Sequence, residues 1–376
     1  MDIGITTDAG SLQTLHEVVA AARTRLDRNM WDYLVGGAGT ETTLHRNRQA
    51  LDRIGFRPRV LRDVSAIDAG APFFGHRIRL PVCLAPVGGL DYMGDGGGVT
   101  VAQGAAAARV PIMLSSVSER SMEEVAAVAG PRVFQLYVRG DGAWVDDQVR
   151  RAIGAGYDAF CLTVDSALYS RRERDIANRF RKPWRAEATG MEYQAALNWD
   201  DVKRFKDIHA IPLILKGIAT AEDADAACGL GVDVVYVSNH GGRQLDHGAG
   251  AIEVLPEVVA AVAGRARVMV DGGISRGADL VKAIALGADT VGIGRLYCYG
   301  FAAAGAAGVA RVIDLLEIEV VECLGLLGLT GFAGLDASYV RAVDAVTPPH
   351  VHSAFPLLPD YASSSASRAA VAASSG

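Results

Sequence analysis

The sequence predicts a closed barrel of eight parallel strands wrapped by helices, the (β/α)8 or TIM-barrel architecture. Three observations carry that expectation. From Pro81 onward, short apolar runs alternate with amphipathic stretches, separated by Gly, Pro, Asp or Asn, the rhythm of parallel β/α units. Eight such units fill about 240 residues, which is the count for closure. The turn after the first run is Pro86-Val87-Gly88-Gly89, not the G-x-G-x-x-G of an open doubly wound sheet.

Taken in order, the chain opens with an appendage of two helices. Ser11 can cap the first, where Leu12, Leu15, Val18 and Val19 recur on one face. Gly36-Gly37-Ala38-Gly39 breaks it, and a second helix starts near Thr40 and runs to about Asp52. Strands are expected at Pro81–Ala85, Pro111–Ser115, Arg132–Leu136, Ala159–Val164, Pro212–Leu215, Val234–Val237, Arg267–Val270 and Thr290–Ile293. Helices fill the gaps at Val99–Ala107, Met122–Val128, Gly142–Ile153, Trp199–Ile208, Ala221–Cys228, Ile252–Val262, Arg276–Ala285 and Phe301–Leu316. One connection is abnormal. More than thirty residues separate Val164 from Trp199, where a βα loop has about 2–6, so this loop is expected to wall or cover a site. The unit is read as one domain over residues 1–360, with the appendage at 1–60 and the barrel at 81–325. Residues 361–376 are too poor in apolar side chains to fold and are expected to be a disordered tail.

Composition narrows the function. A net charge of −6 supplies no basic field for nucleic acid or anionic lipid. The five cysteines are scattered and form no C-x-x-C pair, which reads as thiols in a reducing compartment and not as a zinc site. The first residues lack a basic and apolar leader, and Cys323 to Leu335 is too short to span a bilayer. A cytoplasmic protein without a zinc site is the expectation.

In a barrel the chemistry belongs at the C-terminal ends of the strands. Those ends present Pro86, Ser115, Gln135 with Tyr137, Thr163 with Asp165, Lys216, Asn239 with His240, Asp271, and Gly294 with Arg295. The opposite ends present Pro111, Pro131, Pro212 and Asp233, which are turn residues. The most informative segment is Ser238-Asn239-His240-Gly241-Gly242-Arg243-Gln244-Leu245-Asp246. A histidine there can take a proton near neutral pH. Two glycines allow close backbone approach, and Arg243 offers a fork to a carboxylate. A loop histidine beside a surface arginine is the plain alternative.

This segment resembles the signature of the FMN-dependent 2-hydroxy-acid oxidases and dehydrogenases, and the resemblance extends from about Leu15 to Thr347. It implies FMN as cofactor and oxidation of a small (S)-2-hydroxy acid to the 2-oxo acid. By that resemblance His240 would be the base, Asp165 its partner, and Arg172 and Arg243 the carboxylate ligands. Tyr137 would bond the substrate, and Tyr33 would reach in from the appendage. Lys216 would face the flavin and stabilise its reduced ring. Ser115, Gln135, Thr163 and Ser238 would make polar contacts to the ring, with Pro86, Val87 and Gly88 running along it. The phosphate would sit on Asp271, Gly272, Gly273, Gly294 and Arg295, at a glycine nest after the last two strands. The resemblance also implies oxygen or a quinone or protein carrier as electron acceptor, and a homo-oligomer, a tetramer.

Four departures touch the details. Ser275 stands where the family has a phosphate-binding arginine, so either Arg295 carries more of the load or Arg276 substitutes. Val117 stands for a tryptophan of glycolate oxidase and leaves room for a bulky or aromatic substrate. Tyr169 replaces a smaller apolar residue and can fill part of that room. Gly88 replaces alanine at the flavin edge. The rival functions are a flavoenzyme acting on a biosynthetic intermediate or amino-acid-like substrate, and a non-redox barrel enzyme with a phosphate ligand.

Overall fold

The computed structural model describes residues 8–185 and 188–358; the expected tail lies outside them. Eight parallel strands close on themselves: β1 (Val82–Leu84), β2 (Ile112–Ser115), β3 (Arg132–Leu136), β4 (Ala159–Thr163), β5 (Leu213–Ile218), β6 (Val234–Val237), β7 (Arg267–Val270) and β8 (Thr290–Ile293). The seam pairs Val291 with Val82 and Ile293 with Leu84. Alternation along each strand makes two cores. Cys83, Met113, Val133, Cys161, Ile214, Tyr236 and Met269 point into the barrel. Leu84, Leu114, Phe134, Phe160, Leu215, Val235, Val270 and Ile293 face the helices. Burial on both sides is why these strands read as continuous apolar runs.

Two features were not legible. A hairpin, Ala71–Phe73 with His76–Ile78, plugs the barrel's N-terminal mouth by packing Ala71, Phe73 and Ile78 into the interior core. Ile54–Phe56 pairs antiparallel with Val340–Ala342 and ties the two ends of the fold together.

The appendage has three helices, not two: Leu15–Arg25, Arg28–Val35 and Thr42–Asp52. Thr14, not Ser11, caps the first, in a capping box with Glu17. Asp27 then starts a fresh helix by accepting from Met30 N–H at 2.8 Å, which splits the run that periodicity alone joins. Three barrel boundaries also move. Strand β5 runs on through Lys216 to Ile218, with a register shift between those two residues. The helix after β8 begins at Arg295, directly at the strand end, and continues to Leu327 with a break in helical dihedrals at Ala304 and Gly305. The long loop carries short helices at Glu173–Ala177 and Met191–Ala196 and a tight turn at Pro183–Arg185.

Candidate active site

An open cleft at the C-terminal rim encloses about 1220 Å3, solvent at its mouth included. Of the residues singled out from sequence, the cleft is lined by Tyr33, Pro86, Val87, Gly88, Tyr137, Arg172, Lys216, His240, Arg243, Asp271, Gly272, Gly273, Ser275, Gly294 and Arg295. Ser115, Gln135, Thr163 and Ser238 are buried at their strand ends and do not line it. Arg276 is turned away: it pairs with Glu319 at 2.5 Å and donates to the Ala354 carbonyl at 3.2 Å. Its expected substitution at the phosphate position is therefore not what the side chain does, because the helix after β8 supplies it with a carboxylate.

His240 follows β6 in a left-handed backbone conformation, φ +60°, which an L-residue adopts only under external constraint. Three contacts fix the ring and its backbone. Nδ1 lies 2.9 and 3.1 Å from the two Asp165 carboxylate oxygens. Nε2 lies 3.2 Å from the Tyr137 hydroxyl. The backbone N–H donates to Ser238 Oγ at 3.0 Å. Burial lowers the imidazole pKa from its ordinary value, and the Asp165 carboxylate offsets only part of that. Asp165 itself is held below the usual carboxylate value, because the His240 charge and hydrogen bond outweigh its burial. With the carboxylate on Nδ1, Nε2 is left as the basic nitrogen facing Tyr137.

Lys216 sits at the cleft floor, donating to Ser238 Oγ at 2.8 Å and lying 3.3 Å from Asp271. Burial opposes its charge, yet the Asp271 and Asp165 carboxylates raise its pKa and hold it protonated. Ser238 in turn donates to Asp271 at 2.6 Å.

The arginines are positioned by the appendage and the loop. Arg243 donates through Nη1 to the carbonyls of Tyr33 at 2.6 Å and Gly36 at 2.9 Å, and its guanidinium lies 4.7 Å above the Tyr33 ring. Burial and the nearby Arg172 charge push its pKa down to about 10, still cationic at neutral pH. Arg172 is buried, its Nε has no hydrogen-bond partner, and it stacks over Tyr169 at 5.0 Å. Arg295 donates to the carbonyls of Leu34, Gly36 and Gly241. Tyr33 reaches the Gly88 carbonyl at 3.2 Å.

Sequence reading missed five residues that build this site. Trp184 and Arg185 line the cleft from the long loop, and the Pro183-Trp184 step in a charged loop was the available signal. Gln194, 2% exposed, accepts from Val138 N–H at 2.7 Å and donates to the Thr163 carbonyl at 2.8 Å, stitching the loop to two strand ends. Asn47 exchanges paired amide hydrogen bonds with Asn239, beside the histidine. Arg48 lines the cleft, donates to the Gly273 carbonyl at 3.1 Å and pairs with buried Asp279 at 2.7 Å. The appendage pattern gave no sign of the last two, since their partners lie some two hundred residues away.

The glycines of the signature serve chain packing as well. A Cβ on Gly242 would come within 2.5 Å of Leu44 backbone nitrogen, so the loop meets the third appendage helix only because that position has no side chain. Asp246 of the same segment accepts from Thr43 N–H at 2.8 Å and Thr40 N–H at 2.9 Å, capping that helix from a distance.

A parallel barrel with a half-buried histidine–carboxylate pair, two guanidinium groups and a glycine turn at one rim defines an anion-binding α/β-barrel enzyme with an acid–base centre. Comparison with known proteins makes this particular: the chain belongs to the FMN-dependent dehydrogenase family, whose model matches residues 22–342. It is 38% identical to L-lactate oxidase of Nostoc sp., covering 77% of this chain and 87% of that one. It is 40% identical to 4-hydroxymandelate oxidase of Amycolatopsis orientalis, covering 78% and 88%. Among solved structures, mandelate oxidase with (S)-2-phenylpropionate superimposes with a TM-score of 0.82 at 40% identity, covering 89% and 99%. The protein is thus an FMN-dependent oxidoreductase, and the non-redox barrel reading is set aside. The residues fit that cofactor: Gln135 Nε2 and Thr163 Oγ1 are buried with no partner, as donors awaiting a polar ring edge would be, and Lys216 lies beside them at the floor. Among the described residues no cluster suited to a metal ion occurs, and no helix is long and apolar enough to cross a membrane.

Proposed function

We propose that the protein oxidises an (S)-2-hydroxy acid to the 2-oxo acid, with His240 as the base. The observation that carries the reading is the convergence of the His240–Asp165 pair with Arg172, Arg243 and Tyr137 on one cleft. A 2-hydroxy acid has the matching groups: a carboxylate for the two guanidinium groups and a hydroxyl for Nε2 and the Tyr137 phenol. Bound FMN supplies the two-electron sink. The chain's own residues do the rest. Arg172 and Arg243 hold the carboxylate, Tyr137 orients the hydroxyl, and His240 Nε2 receives the substrate proton while Asp165 stabilises the resulting cation. Lys216 keeps a positive charge at the floor, where it would stabilise negative charge on the reduced cofactor.

Pro86 to Gly88, Ser115, Gln135, Thr163, Lys216 and Ser238 are assigned to the flavin ring. Asp271 to Gly273, Ser275, Gly294 and Arg295 are assigned to its phosphate, with Arg48 in support through the Gly273 carbonyl. Lactate, glycolate and mandelate oxidases among the relatives support the substrate class. Oxygen or a quinone or protein carrier takes the electrons onward. A homo-oligomer in the cytoplasm completes the reading, consistent with exposed Leu168 and Leu245 on neighbouring loops and with free cysteines throughout the described chain.

The test is the visible spectrum of the purified protein under anaerobic conditions, with glycolate, (S)-lactate, (S)-mandelate and a long-chain (S)-2-hydroxy acid added in turn. Bleaching of the flavin bands by at least one is the expected result, and admission of air then distinguishes an oxidase from a dehydrogenase. A flavin spectrum that none of them bleaches overturns the substrate class.

A further inference from the structure

The cleft carries one cation more than this reaction uses. Its lining includes Arg48, Arg172, Arg185, Lys216, Arg243 and Arg295 against a single carboxylate, Asp271. Arg48 is neutralised by Asp279 and Asp52, and Lys216 by Asp271. Arg295 is assigned to the phosphate, and Arg172 with Arg243 to the 2-hydroxy carboxylate. Arg185 remains.

Its setting is specific. Arg185 ends the Pro183–Arg185 turn of the long loop, beside Trp184, which packs on Tyr33 at 4.9 Å. Its guanidinium lies 4.0 Å over the Tyr169 ring, the ring that also carries Arg172 at 5.0 Å. Lys182 cannot take its place, because that ammonium is 2.6 Å from Asp175 and bonded to the Tyr169 hydroxyl. Among the described residues no carboxylate lies within ion-pair reach of Arg185. A half-buried cation that pairs with no described carboxylate is a poor use of a cleft wall unless a ligand supplies the charge.

We propose that the substrate carries a second anionic group, and that Arg185 receives it: a 2-hydroxy dicarboxylate with a short aliphatic spacer. The inference rests on the 2-hydroxy-acid reading above. Both guanidinium groups, the one that would hold the first carboxylate and the one that would hold the second, lie within 5.0 Å of the centre of one Tyr169 ring, which sets the short spacing. Val117, a short side chain, lines the same cleft. The planar fork of arginine matches a carboxylate in two hydrogen bonds.

The experiment compares matched substrates on the holoenzyme: (S)-malate with (S)-2-hydroxybutyrate, and (S)-2-hydroxyglutarate with (S)-2-hydroxyvalerate. Anaerobic flavin bleaching is followed against concentration. Half-saturation is expected at about ten- to a hundredfold lower concentration for the diacid of at least one pair. In Arg185→Gln that ratio should collapse towards one, and Arg185→Lys should keep part of it; the flavin spectrum and Tm report that both variants are folded. Equal half-saturation within both pairs in the unaltered protein overturns the inference and leaves the 2-hydroxy-acid reading standing. So does a preference that survives Arg185→Gln, since the charge would then be received elsewhere. No bleaching by any 2-hydroxy acid, these and the simple ones alike, overturns the reading beneath it instead.

Discussion

His240 has left-handed backbone dihedrals that cost about 1–2 kcal/mol in an L-residue, and what holds it there is the same set of contacts that readies it as a base. Truncation should therefore separate chemistry from cofactor binding. His240→Ala is expected to keep the flavin spectrum while flavin reduction slows by about 10²–10⁴-fold; an unchanged rate would sink the assignment. The pH dependence has a definite sign. The base works only when neutral, and burial lowers its pKa from the ordinary imidazole value of about 6.5. The kcat/KM profile should be flat through neutrality and fall on the acid side, with its midpoint below 6.5. A midpoint above that value would show that the Asp165 charge, not burial, dominates the ring. The histidine, its two glycines and Arg243 were legible because they are contiguous in sequence. Arg185 was not, because a guanidinium acquires meaning only from the charges that fold around it.

At the scale of elements, the barrel strands other than β5 were readable to within about two residues because burial on both faces leaves an apolar run bounded by Pro, Gly and Asp. The hairpin at Ala71–Phe73 was not, because three-residue strands give no period to count. The appendage split escaped because one Asp side chain restarts a helix that the apolar spacing carries straight through. The long loop was recognised by its length, yet its attachment was invisible: Gln194 is a single polar residue whose partners are backbone groups at the ends of β3 and β4. Gln194→Ala strands both of those buried groups, at about 1–3 kcal/mol each. The loop should loosen while the barrel stays folded. Limited proteolysis between residues 164 and 199 is expected to accelerate, and KM to rise more than kcat falls, because Arg172 and Arg185 ride on this loop. Unchanged proteolysis would mean that the loop is held elsewhere.

At the scale of the whole molecule, the site is assembled only when the appendage docks on the barrel, and one buried ion pair is at the centre of that docking. Arg48, on the third appendage helix, meets Asp279 on the helix after β7; both side chains are nearly fully buried. The Asp279 carboxylate also accepts from the backbone N–H groups of Ser275 and Arg276, and Arg48 reaches the Gly273 carbonyl. The pair thus couples the appendage to the turn proposed to cradle the phosphate. Arg48 holds the Asp279 carboxyl below its ordinary value against the effect of burial. Its contribution is therefore present above the unfolded value of about 3.9 and is lost only as pH falls through the lower folded one. Neutral and mildly acidic conditions leave it intact. Removing one partner strands a buried charge, so Arg48→Met should cost about 3–5 kcal/mol, read as a Tm lowered by several degrees. Replacing both partners, with Asp279→Leu added, removes the stranded charge, and part of the loss should return. Recovery stays incomplete because Ser275 and Arg276 then lose their acceptor. Added FMN supplies the discriminating measurement: ligand that binds only the folded state raises Tm in proportion to its affinity. The rise should be smaller in both variants than in the unaltered protein, because the turn that faces the phosphate has lost its support. A Tm lowered equally with and without a full FMN response would confine the pair to stability and detach it from the cofactor.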